Sequence, residues 1–218
     1  MIELPLFPLN TVLFPGMPLR LHIFEERYKT MINECIDADK PFGVVLIETG
    51  DEALGPVAEP HLIGTTAHIV RVERLPFGRL NILAIGRDRF RIQTLHHDKA
   101  YLSAIVDLIP LAHSNNADIH RAEQQLRPLL NRYLRALSEA GFQIEDATLP
   151  EDALALAYLS AVILQTDSQH KQDILEALNT HNFMSKLVSL YKREVALLDV
   201  MLAPPASIED NLSPFSLN

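Results

Sequence analysis

Arg71, Arg74, Arg79, Arg87, Arg89 and Arg91 fall within 21 residues, opposed there only by Glu73 and Asp88, for a local charge of +4. Guanidinium groups at that density on a β-surface can follow a phosphate backbone, which makes this stretch a candidate nucleic-acid surface. The neighbouring aromatics are few, only Phe77 and Phe90, and the chain has no Trp to act as a stacking platform. The formal net charge of -9 sets up a long-range field that repels phosphate. A solvated outer face, paired to the acidic segment ETGDEALGPVAEP at residues 48–60, is the plainer reading of the same arginines.

Other chemistry is sparse. His96, His97 and Asp98 are adjacent, and His22 and Glu25 stand three apart. Zinc needs three or four convergent ligands, and neighbours in a turn point apart, so no metal is expected. The single cysteine, Cys35, would be a nucleophile only with a histidine beside it. Its position on an apolar helical stripe makes it a small core residue. No G-x-x-x-x-G-K-[ST], G-x-S-x-G, H-E-x-x-H or C-x-x-C occurs. Gly50 and Gly55 have the separation of a phosphate loop, but Pro56 and Val57 stand where Lys and Ser belong. No catalysis and no cofactor are expected.

The chain has 218 residues, 48% hydrophobic and 22% charged, enough to bury about 70% of its unfolded surface. One thiol cannot form an internal disulfide. The start carries no basic segment or unbroken apolar run, and no window reaches the length of a bilayer span. The expectation is a soluble, cytoplasmic protein with no membrane partner.

Two halves with different periods must position any site. Up to residue 110 the pattern is that of strands. In LPLFPLNTVLFPGMP, at residues 4–18, the prolines read as punctuation between short strands, an edge hairpin, because proline cannot donate to a ladder. Residues 10–14 read as a short strand, and Leu19, Leu21 and Ile23 alternate with Arg20 and His22 in another. Tyr28, Met31, Ile32, Cys35 and Ile36 then form one helical stripe, ended by Asp39, Lys40 and Pro41. FGVVLI, residues 42–47, is a buried strand. Strands follow at 64–75, 79–86, 89–95 and 100–109, with a hairpin at Pro76-Phe77-Gly78. Short strands at this spacing with one inserted helix predict a small β-barrel over 1–110.

From 117 to 202 the period is helical. A stripe from Ile119 to Leu137 is interrupted by Pro128, where a kink or restart is expected. TLPE, residues 148–151, reads as a capping box with Thr148 as N-cap. The helix it opens, apolar almost all round, reads as the centre of a four-helix bundle completed by Ser168–Leu178 and Asn182–Leu202. Residues 203–218 read as a flexible tail.

Taken together, PLFPLNTVLFPGMPLRLHIFEERY, then Gly64-Thr65, then GRLNILAIGRDRFRI resembles the amino-terminal substrate-binding domain of Lon proteases, with a looser likeness in KQDILEALNTHNFMSKLVSLYKRE. The resemblance implies an α+β fold, a PUA-like β-barrel with one inserted helix followed by a helical bundle. It also implies recognition of unfolded or damaged polypeptide. The ATPase motifs and the Ser-Lys peptidase segment of full-length Lon are missing, so binding is what the resemblance implies, not catalysis. Exposed apolar residues near strand ends, Met17, Leu75 and Phe77, are the expected polypeptide contacts. The alternative is an RNA-binding PUA-like module using the arginine run. A third reading is an adaptor in protein quality control whose helical half docks a separate protease or ATPase.

Overall fold

The computed structural model describes residues 1–50, 59–112, 114–142 and 148–202. The expected tail at 203–218 and most of the acidic segment lie outside the described residues. The element order is β1 (Ile2–Leu9), β2 (Pro18–Ile23), α1 (Glu26–Ala38), β3 (Phe42–Thr49), β4 (Glu59–Pro60), β5 (Ile63–Arg74), β6 (Leu80–His96), β7 (Ser103–Leu108), α2 (Asn116–Glu139), α3 (Ala153–Ile163), α4 (Ser168–Leu175) and α5 (Thr180–Leu202). A mixed sheet is followed by four helices, with α1 inserted early.

The prolines of β1 do not mark an edge. Ile2–Pro5 pairs antiparallel with β7, and Leu6–Leu9 pairs parallel with β3. With β7–β6, β6–β5 and β5–β3 also paired, the ladders form the circuit β1–β7–β6–β5–β3–β1. Each half of β1 has a strand partner on one side only, so a residue without an N–H can be turned to the other side. The expected strand at residues 10–14 is absent. The chain just after it meets β6, where the Gly16 N–H donates to the Gly86 carbonyl and the Gly86 N–H to the Met17 carbonyl.

The expected strands at 79–86 and 89–95 are one strand, β6, which changes partners along its length. Its first part pairs with β2 and with Ala67–Arg74 of β5, and its last part with β7. A register shift opposite Thr65–Ala67 absorbs Arg87 and Asp88, as a bulge does. Beyond the circuit, β2, β6 and β5 therefore continue as a three-stranded ribbon. Its inner face carries Leu19, Ile23, Leu80, Ile82 and Ala84, packed on Tyr28, Met31, Ile32 and Cys35 of α1. The stripe read from the sequence is the one buried, and Asp39 closes α1 in a left-handed conformation.

The helices depart from expectation in three places. Of the kink or restart expected at Pro128, the restart is absent: α2 runs through it as one element, and its buried side is Ala122, Leu126, Leu130, Tyr133, Ala136 and Leu137. Packing along its whole length outweighs the single ladder bond a proline removes. The N-cap of α3 is Asp152, whose carboxylate accepts from the Ala155 N–H, so the cap lies four residues beyond Thr148. The helix packing on the other three is α5, not α3. At 11 residues α3 is too short to serve all sides, whereas α5 buries Phe183, Met184, Leu187, Val188, Tyr191 and Val195 along 23. Tyr133 and Tyr191 meet edge to face at 5.1 Å. The Tyr191 hydroxyl donates to the Ser160 carbonyl and the Tyr133 hydroxyl accepts from the Gln165 N–H.

Sheet and helices share one core: Val12, Phe14, Leu46 and Ile63 cluster with residues of α2 to α5, and Phe14 meets Phe183 edge to face at 6.2 Å. Gly86 permits this approach. A Cβ there would lie 2.3 Å from the Phe14 carbonyl oxygen. Gly86→Ala is expected to lower stability in urea denaturation by about 1–3 kcal/mol, because backbone rather than a flexible side chain must give way.

Candidate functional site

The hairpin between β5 and β6 is the most exposed apolar feature of the ribbon. Pro76–Gly78 forms a single 3-10 turn closed by the Leu75 N–H on the Arg79 carbonyl at 2.8 Å. Phe77 takes φ +64° and Gly78 φ +70°. A left-handed phenylalanine costs about 1–2 kcal/mol, and its ring gains nothing back from burial, being 88% exposed. The turn is held in place from beneath: Lys29 of α1, itself mostly covered, donates to the Phe77 carbonyl at 3.0 Å and to Glu26 at 2.7 Å. The Arg79 guanidinium lies 6.0 Å from the Phe77 ring centroid and donates to the Pro76 carbonyl.

Of the three apolar residues expected at one site, Leu75 and Phe77 lie together at the hairpin. Leu75 is half-buried in the same turn. Met17 stands at the other end of the ribbon, preceding Pro18, which pairs with Ile85, whereas the turn adjoins Leu80. The separation is about 17 Å of strand. Met17 packs against both the ribbon core and the core shared with the helices. The residue that sequence reading passed over is Phe24. It follows Ile23, the register partner of Leu80, so it lies at the same end of the ribbon as Phe77, and it is 55% exposed. Its signal was an aromatic between the last alternating strand residue and the first residue of α1.

The arginines do not form one surface. Arg89 is buried, with 4% exposure, and points toward the helices, where it donates to the Ala177 carbonyl at 2.7 Å. Burial pulls its pKa below the ordinary arginine value, with nearby Arg91 acting in the same direction and Tyr158 and Glu176 opposing. Arg89 thus joins β6 to the end of α4, alongside Gln172, which donates to the Ile63 carbonyl at 2.9 Å and to Glu176. It cannot contact a phosphate backbone. Arg74 is engaged with Asn33 of α1 and Arg79 with the hairpin. Arg71, Arg87 and Arg91 remain exposed at separate levels of the sheet.

His22 bonds Asn81 through Nδ1 at 2.7 Å, while Glu25 pairs with Arg27 at 2.9 Å, so the two do not converge. Among the described residues no group of three or more His, Cys, Asp or Glu is placed to hold a metal ion. Cys35 lines a cleft of about 550 Å³ between the start of β1, the end of α1 and Lys99–Tyr101. Burial, then the Glu34 charge, pushes its thiol up to about 11, so it is protonated at neutral pH and unsuited to nucleophilic attack. In the same cleft Tyr101 donates to the Glu34 carboxylate, and burial followed by that bond raises the phenol above its ordinary value. No described helix is long and apolar enough to cross a membrane.

The fold as a whole is similar to solved Lon amino-terminal domains. A Lon N-terminal domain protein from Xanthomonas campestris superposes with a TM-score of 0.63 at 22% identity over 87% of this chain and 98% of that one. The N-terminal domain of Mycobacterium avium complex Lon protease does so at 0.65 with 17% identity, over 88% and 98%. The chain belongs to the ATP-dependent protease La (LON) substrate-binding domain family, whose model matches residues 3–193. Among full-length relatives, it is 29% identical over 204 residues to Lon protease 2 of Herpetosiphon aurantiacus and 30% identical over 210 residues to Lon protease of Roseiflexus castenholzii. These matches take in 91% and 90% of this chain but only 25% of each relative's length.

Two stability measurements check the assignments. Arg89→Ala removes a buried stem and leaves the Ala177 carbonyl without its donor, so a loss of about 2–4 kcal/mol is expected, whereas Arg87→Ala should change stability by less than about 0.5 kcal/mol. In Phe77→Gly, relief of the left-handed strain offsets the roughly 0.5–1 kcal/mol of added chain entropy. Its urea midpoint should stay level or rise slightly, showing that the ring does nothing for the fold.

Proposed function

We propose that this chain is a non-catalytic binding module for unfolded or damaged polypeptide, with Phe77, Phe24 and Leu75 at the tip of the β2–β6–β5 ribbon as its apolar contacts. The observation that carries the reading is the Phe77 turn: a large ring held in a costly left-handed conformation, 88% exposed, in a chain of a family named for substrate binding. Strain kept at an exposed position that packing does not need is a mark of function. Met17, packed between two cores, is assigned to the fold rather than to contact with a client.

The full-length relatives are proteases, and the portion matched here is a quarter of their length, so only the binding role is carried over. Within the reading, residues 1–110 are a PUA-like β-barrel, in keeping with the closed pairing circuit. Residues 117–202 are a four-helix bundle joined to it through the shared core. Delivery of the client to a separate protease or ATPase, with the helical half as the docking side, completes the quality-control role. The RNA alternative loses its main support with the burial of Arg89.

The test is binding of the purified chain to a reduced, carboxymethylated model protein and to single-stranded RNA, at low and high salt. The unfolded protein should bind at both salts, since burial of apolar surface is weakly screened. Phe24→Ser with Phe77→Ser should weaken it about tenfold or more without changing the circular dichroism spectrum. Full-strength binding by that variant would remove the site. Preference for RNA that collapses at high salt would replace the reading with nucleic-acid binding.

A further inference from the structure

β2 is paired along one side only. All six of its residues are in register with β6, from Pro18 opposite Ile85 to Ile23 opposite Leu80, and no other described strand pairs with it. In an antiparallel pair, backbone donors and acceptors of alternate residues point away from the partner, so the outer side of Leu19–Ile23 presents unpaired groups. The buried positions Leu19 and Ile23 fix which face is inner. The outer face of the ribbon then carries Pro18, Arg20 and His22 from β2, Asn81, Leu83 and Ile85 from β6, and Arg71 and Glu73 from β5, with Arg20 opposite Leu83 and Leu83 opposite Arg71. Glu73 is engaged by Asn81, which also bonds His22. Arg20 and Arg71 therefore stand as two cations with no carboxylate partner among the described residues, on the face of a chain that is acidic overall.

We propose that the open edge of β2 takes up an extended segment of client polypeptide as an added strand, its acidic side chains on the face of Arg20 and Arg71 and its apolar ones on the face of half-buried Leu21. The inference rests on the polypeptide-binding reading above and specifies how the client is held. Unfolded clients share no sequence, and what they have in common is a backbone, which strand addition recognises. Arg20, beside the open edge, selects the partner by charge complementarity, and Arg71, two strands further in on the same face, adds to its field. They also argue against a second copy of this chain, because joining two β2 edges would bring Arg20 of one toward Arg20 of the other, and like charges across strands destabilise a pair. Phe24 and Phe77 lie just past one end of this edge, where a client continuing beyond the added strand would meet them.

The probes are a capped eight-residue peptide alternating Glu and Val, the same peptide N-methylated on every Val or on every Glu, and a version with Lys for Glu. Each is titrated against the full chain alongside the carboxymethylated model protein. An added strand points alternate N–H groups at β2 and the rest at solvent. One methylation pattern should therefore weaken binding about tenfold or more while the other leaves it unchanged. Arg20→Glu with Arg71→Glu should weaken the Glu peptide about tenfold and strengthen the Lys peptide. Equal effects of the two methylation patterns, whether none or both, would overturn strand addition. So would failure of the Glu peptide to bind while the carboxymethylated protein binds. Failure of both ligands would sink the polypeptide-binding reading itself.

Discussion

The amino-terminal strand pairs with two different strands in succession, antiparallel with β7 through Ile2–Pro5 and parallel with β3 through Leu6–Leu9, and the rest of the molecule depends on that handover. Without it β7 and β3 would each end in an open ladder, and Leu6, fully buried against Val45, Phe90 and Ala104, would have no core to enter. Closing the circuit leaves β5 and β6 longer than it needs. Their surplus, joined by β2, becomes the ribbon. The exposed turn exists because a closed sheet has an unabsorbed hairpin, steadied from below by α1 through Lys29.

The joint between sheet and helices combines apolar and polar contacts. Phe14, Val12, Leu46 and Ile63 supply burial, while Arg89 and Gln172 satisfy the Ala177 and Ile63 carbonyls at ends of elements where no ladder or helix bond reaches. An arginine side chain placed at the end of α4 also meets the negative end of a helix, where a cation is favoured. Desolvating Arg89 is costly, and the direction of its pKa shift records that cost. What it secures is a fixed orientation, because a hydrogen bond to one carbonyl has a direction that packing of Phe14 on Phe183 lacks.

The same chain thus treats its special groups in opposite ways. Arg89 and Gln172, though buried, each donate to a backbone carbonyl, whereas the apolar ring at the ribbon tip is left in water and strained. An isolated exposed apolar residue is ordinary. Phe77 differs because a glycine would fill its backbone position at no cost to the fold, and because Phe24 lies at the same end. Function is the economical account of both.

Periodicity in the sequence determined the α+β order, the stripe of α1, the presence of β3, the hairpin at Pro76–Gly78 and the existence of four later helices, because one-sided burial imprints a period of two or 3.6 on any chain. Ordered blocks of residues determined the family. Tertiary structure alone decided that the prolines sit in a doubly paired strand, that 80–96 is one strand with two sets of partners, that α2 passes through Pro128 and that α3 starts at Asp152. It also separated Met17 from Phe77, added Phe24 and took Arg89 out of the arginine run. The reason is common to all of these. Which residues face each other across a sheet, and which side of a strand has no neighbour, are set by pairings between segments up to about a hundred residues apart, such as β1 with β7, and local pattern carries no record of them.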